Sequence, residues 1–183
     1  ISLRTNHSKV FAIIVPAITN FFYQSFISAV EEESRLHGYS LMILQSGDNP
    51  ETELDNLKLC RQNRVAGLFV SITIKTTDIR AFLKMEDLDV PVIFFDKVPD
   101  FEACNKVCVA DRSAAEMAAE ALLRHKRKKI LAIFGNDQMS ITRKRKEAFT
   151  AVIEGQKKIK FKADHAHNPE EARRLIHRYF EKG

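Results

Sequence analysis

Four short and almost unbroken apolar runs recur at regular intervals: VFAIIV (Val10–Val15), YSLMIL (Tyr39–Leu44), GLFV (Gly67–Val70) and VIFF (Val92–Phe95). Hydrophobicity that is continuous rather than alternating marks strands covered on both faces, which is the condition of a parallel sheet. What lies between the runs has helical period. Phe22–Leu36 sets Phe22, Phe26, Ala29, Val30 and Glu33 on one side and stops at Gly38; Glu51–Asn63 carries a Leu54, Leu57, Cys60 stripe; Asp78–Met85 is a shorter helix. After KVCVA (Lys106–Ala110) the pattern resumes with a helix over Ser113–His125, the strand KILAIF (Lys129–Phe134), a helix over Ile141–Ile153, a short strand IKF (Ile159–Phe161) and a helix over Pro169–Phe180. Strand and helix in strict alternation, joined by right-handed crossovers, give a doubly wound α/β architecture.

In such sheets ligands bind beyond the carboxyl ends of the strands. Those ends carry Ala17–Tyr23, Gln45–Asp48, Ser71 and Thr73, Asp96 and Lys97, and Gly135–Ser140. Amides, hydroxyls, a carboxylate and aromatic rings thus gather on one rim. Arg145 joins them if Ile141, Arg145, Ala148 and Val152 form the inward face of their helix, because an arginine on an apolar stripe requires a partner. This set suits a sugar-sized polyol: Asp and Arg bond vicinal hydroxyls, and a ring covers the C–H face of a pyranose. Each residue also has a plain structural role open to it, with Phe22 and Phe26 in the core, Asp96 in a turn and Arg145 bridged to a neighbouring acid.

Composition narrows the function class. Of the 183 residues 45% are hydrophobic, enough to bury one good core or two small ones, and no apolar stretch is long enough to span a bilayer. The net charge of +5 is unevenly divided: residues 1–123 carry 12 Lys+Arg against 17 Asp+Glu, and residues 124–183 carry 17 against 7. The basic runs HKRKK (His125–Lys129) and RKRK (Arg143–Lys146) fall in a turn and around a helix, so they present no single cationic face. Three cysteines, Cys60, Cys104 and Cys108, leave one unpaired in any disulfide scheme, which points to a reducing, cytoplasmic setting. No phosphate-cradling glycine loop and no defensible nucleophile or triad is present, and CNKVC lacks a second cysteine pair for zinc. His165 and His167 in DHAH could share a metal if extended, although a strand end is the simpler reading. Neither a cofactor nor catalysis is expected.

The stretches KVFAIIVPAITNFFYQSFISAVEEESRLHGYSLMILQS, NRVAGLFVS, DVPVIFFDKVPD, NKVCVADRSAAEMAAEALL, HKRKKILAIFG and SITRKRKEAF resemble, in order, the effector-binding core of the LacI/GalR family of bacterial transcriptional regulators. That core is similar to periplasmic sugar-binding proteins. The resemblance runs from about Ser2 to Phe149 and thins beyond Gly155. It departs at NFFY, where members often read N-P-F-F, so that Phe21 replaces a proline and the aromatic positions fall to Phe22 and Tyr23.

The resemblance implies a two-lobed, periplasmic-binding-protein-like α/β fold, each lobe a doubly wound parallel sheet, with the chain incomplete in its second lobe. Residues 1–9 would be the remnant of a hinge to a DNA-binding headpiece, 10–110 the N-terminal lobe and 111–183 part of the C-terminal lobe. An effector, a sugar or sugar derivative ahead of a purine, would bind between the lobes against Asn20, Phe22, Tyr23, Ser71, Asp96 and Arg145, with Lys97 a weaker contact. Leu3 would be the hinge leucine that wedges into the operator minor groove, although SLRTNHSK also suits a plain flexible terminus. The whole protein would be a cytoplasmic homodimer that changes its hold on operator DNA through allostery and does not touch a membrane. A periplasmic receptor for transport or chemosensing shares fold and site and is the alternative.

Overall fold

The structure, a computed structural model, describes residues 8–156 and 158–181. It forms two compact units divided between Cys108 and Val109, two residues ahead of the boundary expected at Ala110. Leu3 and most of the expected hinge lie outside the described residues.

The first unit is a five-stranded sheet built from β1 (Val10–Val15), β2 (Ser40–Gln45), β3 (Gly67–Val70), β4 (Val92–Phe95) and β5 (Asn105–Val107) in the order β2-β1-β3-β4-β5. Every pairing is parallel. Alternation along β1 assigns the helices to faces: Ala12 and Ile14 join a core with Leu57, Cys60, Phe82 and Met85 from α2 (Pro50–Gln62) and α3 (Arg80–Glu86). Ile13 and Val15 turn the other way, into a core with Tyr23, Phe26, Ile27 and Val30 of α1 (Phe21–Leu36) and Phe95 of β4. The chain leaves β1 for β2 on one side and reaches β3 on the other, so the switch point of the sheet lies between the carboxyl ends of β1 and β3. β5 ends at Val107, short of the KVCVA run, because its partner β4 ends at Phe95, the residue that pairs with Val107.

The buried side of α1 is rotated from the stripe that the periodicity suggested. Tyr23, Phe26, Ile27, Val30 and Ser34 face the sheet, while Phe22, Ala29 and Glu33 are exposed. Asn20 caps the helix, its Oδ1 accepting the Phe22 N–H at 2.9 Å.

In the second unit β6 (Lys129–Phe134) and β7 (Lys160–His165) pair in parallel, register Lys129↔Lys160 to Phe134↔His165. The ladder carries β7 four residues past the IKF run, since backbone pairing does not require apolar side chains. α4 (Asp111–Arg124) and α5 (Ser140–Glu154) cover one face through Ala115, Ala119, Ile130, Ala148, Phe149 and Ile153. On the other face α6 (Pro169–Glu181) has no buried residue among those described, and Ile176, Tyr179 and Phe180 border an open cavity of about 900 Å³ with Leu131 and Ile133. This second sheet is therefore partial, with two strands among the described residues against five in the first.

Candidate functional site

The first unit assembles its polar rim at the switch point. Tyr23 descends from the first turn of α1, and its hydroxyl lies 3.0 Å from Ser71 Oγ and donates to Asp96 Oδ2 at 2.8 Å. Three elements separated by up to 73 residues are thus tied by one phenol. Tyr23 is 3% exposed and Ser71 is fully buried. Burial, with the Asp96 carboxylate adding to it, pushes the phenol far above its ordinary value, so the proton stays on the oxygen and the ring acts as a fixed donor.

Asp96 follows β4 in the left-handed region with φ 55°, a conformation that Asp tolerates better than most residues, and its carboxylate accepts from the Tyr23 hydroxyl. Asp48, after β2, has the same φ of 55°. Lys97 Nζ donates to Asp48 Oδ1 at 3.2 Å, and its carbonyl accepts the Ile72 N–H at 3.0 Å. Lys97 therefore bridges two strand ends and is engaged with a carboxylate of its own. Asn20 spends its side-chain oxygen on the helix cap. Phe22 is 42% exposed, edge-on to Tyr23 at 5.5 Å and stacked on Phe26, which in turn stacks on Phe95 at 3.9 Å. Of the expected aromatic pair, Phe22 is the ring available to a ligand, and Tyr23 holds the wall behind it. Ser71 likewise sits beneath the rim: its hydroxyl is committed to Tyr23 rather than offered outward.

Below Ser71 lies a group that the sequence does not advertise. Glu53, in the first turn of α2, is 1% exposed and its carboxylate accepts the Thr73 N–H at 2.8 Å and the Thr76 hydroxyl at 2.5 Å. Burial raises its carboxyl above the ordinary glutamate range, against the lowering effect of these two bonds.

In the second unit Arg145 donates from Nε to Asp111 Oδ1 at 2.8 Å. Of the face expected through Ile141, Arg145, Ala148 and Val152, Ala148 is buried and Val152 packs on the core, but Arg145 is corrected: its side chain is 48% exposed against 8% for the aspartate, and the buried residues of α5 are Ser140, Thr142, Ala148, Phe149 and Ile153. Its partner opens α4, where the helix dipole favours an acid. Only Nε is used in this bond, and the guanidinium carries four further N–H donors. Arg143 instead folds back, Nη1 donating to the carbonyls of Asp137 at 3.2 Å and Gln138 at 2.6 Å, and Lys144 is exposed.

His165 ends β7 with Nδ1 2.7 Å from the Gly135 carbonyl and Nε2 2.9 Å from Lys146 Nζ. The carbonyl requires a proton on Nδ1, so Nε2 receives the ammonium. Both ring nitrogens are used within the fold, and among the described residues no group of three His, Cys, Asp or Glu side chains is arranged to hold a metal. Cys60 and Cys104 are buried and Cys108 exposed, all three as free thiols. No helix among the described residues is long and apolar enough to cross a membrane.

Three residues, two in the first unit and one in the second, escape sequence reasoning. Asp111 and Glu53 each read as ordinary first-turn acids complementing a helix dipole. Thr76 reads as loop. The only signal that could have raised Asp111 is the demand of Arg145 for a partner.

Comparison with known proteins bears on this geometry. The family described as periplasmic binding proteins and sugar binding domain of LacI family matches residues 8–183. The chain is similar to the fructose operon regulatory protein of Vibrio cholerae, 26% identical over 152 residues, covering 83% of this chain and 46% of that protein. It is similar to the catabolite repressor/activator of Escherichia coli K12, 24% identical over 180 residues, covering 98% of this chain and 54% of the relative. Both are named as regulators rather than enzymes, and the chain spans about half the length of the curated relatives it matches. Among solved structures, Cra from Pseudomonas putida in complex with fructose 1-phosphate superposes with TM-score 0.85 at 25% identity, covering 96% of this chain and 65% of that one. A periplasmic solute binding protein of an ABC transporter from Actinobacillus succinogenes, with bound D-allose, shares the fold with TM-score 0.84 at 19% identity, covering 95% and 65%.

Proposed function

Since the chain belongs to the family of periplasmic binding proteins and LacI-type sugar-binding domains, we propose that it is the effector-sensing core of a transcriptional regulator and binds a sugar or sugar phosphate without transforming it. The observation that carries this reading is the Tyr23, Ser71, Asp96 triangle at the switch point of the sheet. It fixes a carboxylate at the end of β4 as an acceptor for ligand hydroxyls, beside the exposed ring of Phe22. Arg145, held by Asp111, supplies donors from the second unit, and Asn20 and Lys97 complete the rim as lesser contacts. The P. putida relative with fructose 1-phosphate and the V. cholerae fructose operon regulator support a phosphorylated ketose over a purine.

In the whole protein, a homodimer, the effector changes operator affinity by binding one arrangement of the lobes more tightly than another; the shift cannot exceed that differential affinity. Residues 1–9 are the hinge to the DNA reader and Leu3 its wedge. Calorimetry against fructose 1-phosphate, D-allose, ribose and hypoxanthine, with mass spectrometry of the recovered ligand, tests the core. A chemically altered ligand would overturn the binding-only reading, and preference for hypoxanthine would overturn the sugar reading.

The likeness to the D-allose receptor supports a second reading, a receptor for transport or chemosensing. Mobility shift of the full-length protein on its own promoter, with and without the tightest ligand, separates the two. A receptor shows no shift.

A further inference from the structure

We propose that Glu53 is a positioning residue of this site: its buried carboxyl pins the turn that follows β3 and so holds Ser71 against Tyr23, in either protonation state. The inference rests on the assignment of the Tyr23, Ser71, Asp96 rim as the effector wall.

The geometry begins with a buried acid. Glu53 is 1% exposed, and burial is the largest influence on its carboxyl, ahead of the charges of Asp48 and Lys97. An apolar residue of similar size would fill this place without the desolvation that a carboxyl suffers. What the carboxyl supplies instead is a pair of acceptors aimed at one turn. Oε1 takes the Thr73 N–H at 2.8 Å and Oε2 the Thr76 hydroxyl at 2.5 Å, while the Thr73 and Thr76 hydroxyls lie 2.9 Å apart. Thr73 is fully buried and stands two residues beyond Ser71.

The chain between them is anchored on both sides. Ser71 N–H donates to the Ile14 carbonyl and Ile72 N–H to the Lys97 carbonyl, each at 3.0 Å. Glu53 provides the next tie along the same strand extension, at the point where sheet bonding ends. Without it the Thr73 N–H would be a buried donor lacking its acceptor, and the turn would open from that side.

Protonation does not break this arrangement, because the hydroxyl pair can reverse. With Glu53 ionised, Thr76 donates to Oε2 and Thr73 donates to Thr76. With a proton on Oε2, the carboxylic acid donates to Thr76 Oγ1, whose own proton turns to Thr73; the Thr73 hydroxyl then gives up its donation to Thr76, while Oε1 still accepts the Thr73 N–H, the bond that pins the turn. Glu53→Gln reproduces the second state, with the amide NH₂ in place of the acid O–H. Glu53→Leu removes both acceptors at nearly constant volume.

Hydrogen exchange resolved over residues 71–76, on ligand-free protein, measures the pinning directly. We expect E53L to speed exchange at Thr73 by about tenfold or more, the local opening that follows loss of a buried acceptor, while E53Q stays within about threefold of wild type. Titration with fructose 1-phosphate as the probe should follow the same order, weakened in E53L and restored in E53Q. Wild-type exchange at Thr73 in E53L, or equal damage from E53Q and E53L, would overturn the proposal. T76V, which removes only the second tie, decides the matter if E53L does not fold: faster exchange confined to 73–76 supports the pinning, and unchanged exchange refutes it. Failure of wild type to bind any sugar would refute the functional reading while the exchange result still judges Glu53.

Discussion

Replacing Tyr23 by Phe deletes one oxygen and leaves the ring, so it isolates what the phenol does. The aromatic contacts with Phe22 at 5.5 Å and Phe95 at 6.2 Å survive, and no large cavity opens. Two hydrogen bonds are lost, and their costs differ. A bond to a charged acceptor contributes roughly 1.5–3 kcal/mol and a neutral one about 1 kcal/mol. Asp96 is only partly buried, so water can replace its lost donor and the lower figure applies. Ser71 is fully buried and must find another partner or stay unsatisfied. The sum is a loss of about 2–3 kcal/mol from the first unit. Urea unfolding followed by circular dichroism should show a lower midpoint with an unchanged slope, the mark of a stability change without a change in the surface exposed. A double-mutant cycle with Ser71→Ala should return a coupling of at least ~0.5 kcal/mol, since the two hydroxyls touch. A loss below ~0.5 kcal/mol for Y23F, together with zero coupling, would refute the view that this phenol joins β3 and β4 to α1.

Further outcomes follow from the same geometry. Arg145→Ala should weaken effector binding by roughly 10- to 150-fold, and Lys144→Ala by less than about threefold, when titrated in parallel. Stability should fall above about pH 10, because the phenol of Tyr23 is raised in the fold and the unfolded chain loses that proton first; Y23F should flatten this alkaline limb. The raised carboxyl of Glu53 gives the same sign at lower pH: its contribution is full below the ordinary glutamate range and is lost as pH rises through the folded value, so E53Q should gain on wild type between acid and neutral pH in urea titrations. Phe82→Ala, a fully buried ring edge-on to Phe94, should cost about 3–5 kcal/mol in the same assay. Leu3→Ala in the full-length protein should weaken operator binding in mobility shifts and leave sugar affinity unchanged; lost sugar affinity would place the lead segment in the pocket instead.

The strands and their order of use were legible in the chain because hydrophobic period is a local property. VFAIIV, GLFV and VIFF have both faces covered whatever follows them, and a parallel sheet is the arrangement that covers them. Its carboxyl ends then carry whatever residues come next, so Asp96, Ser71 and Tyr23 are legible together as rim residues. What each of them does there was not legible. Whether Ser71 faces a ligand or a phenol depends on the rotation of α1, which brings Tyr23 to residues 48 and 73 positions away. Arg145 declared only that it needed a partner; the choice of Asp111 required α4 to lie against α5. Glu53 was hidden most completely, since an acid in a first turn satisfies its own helix dipole on paper, and only the closed fold buries it beneath Thr73. Hydrophobic pattern acts between chain neighbours and survives as sequence. Polar pairing acts over about 3 Å between residues tens of positions apart, so it comes into being only when the tertiary structure brings them together.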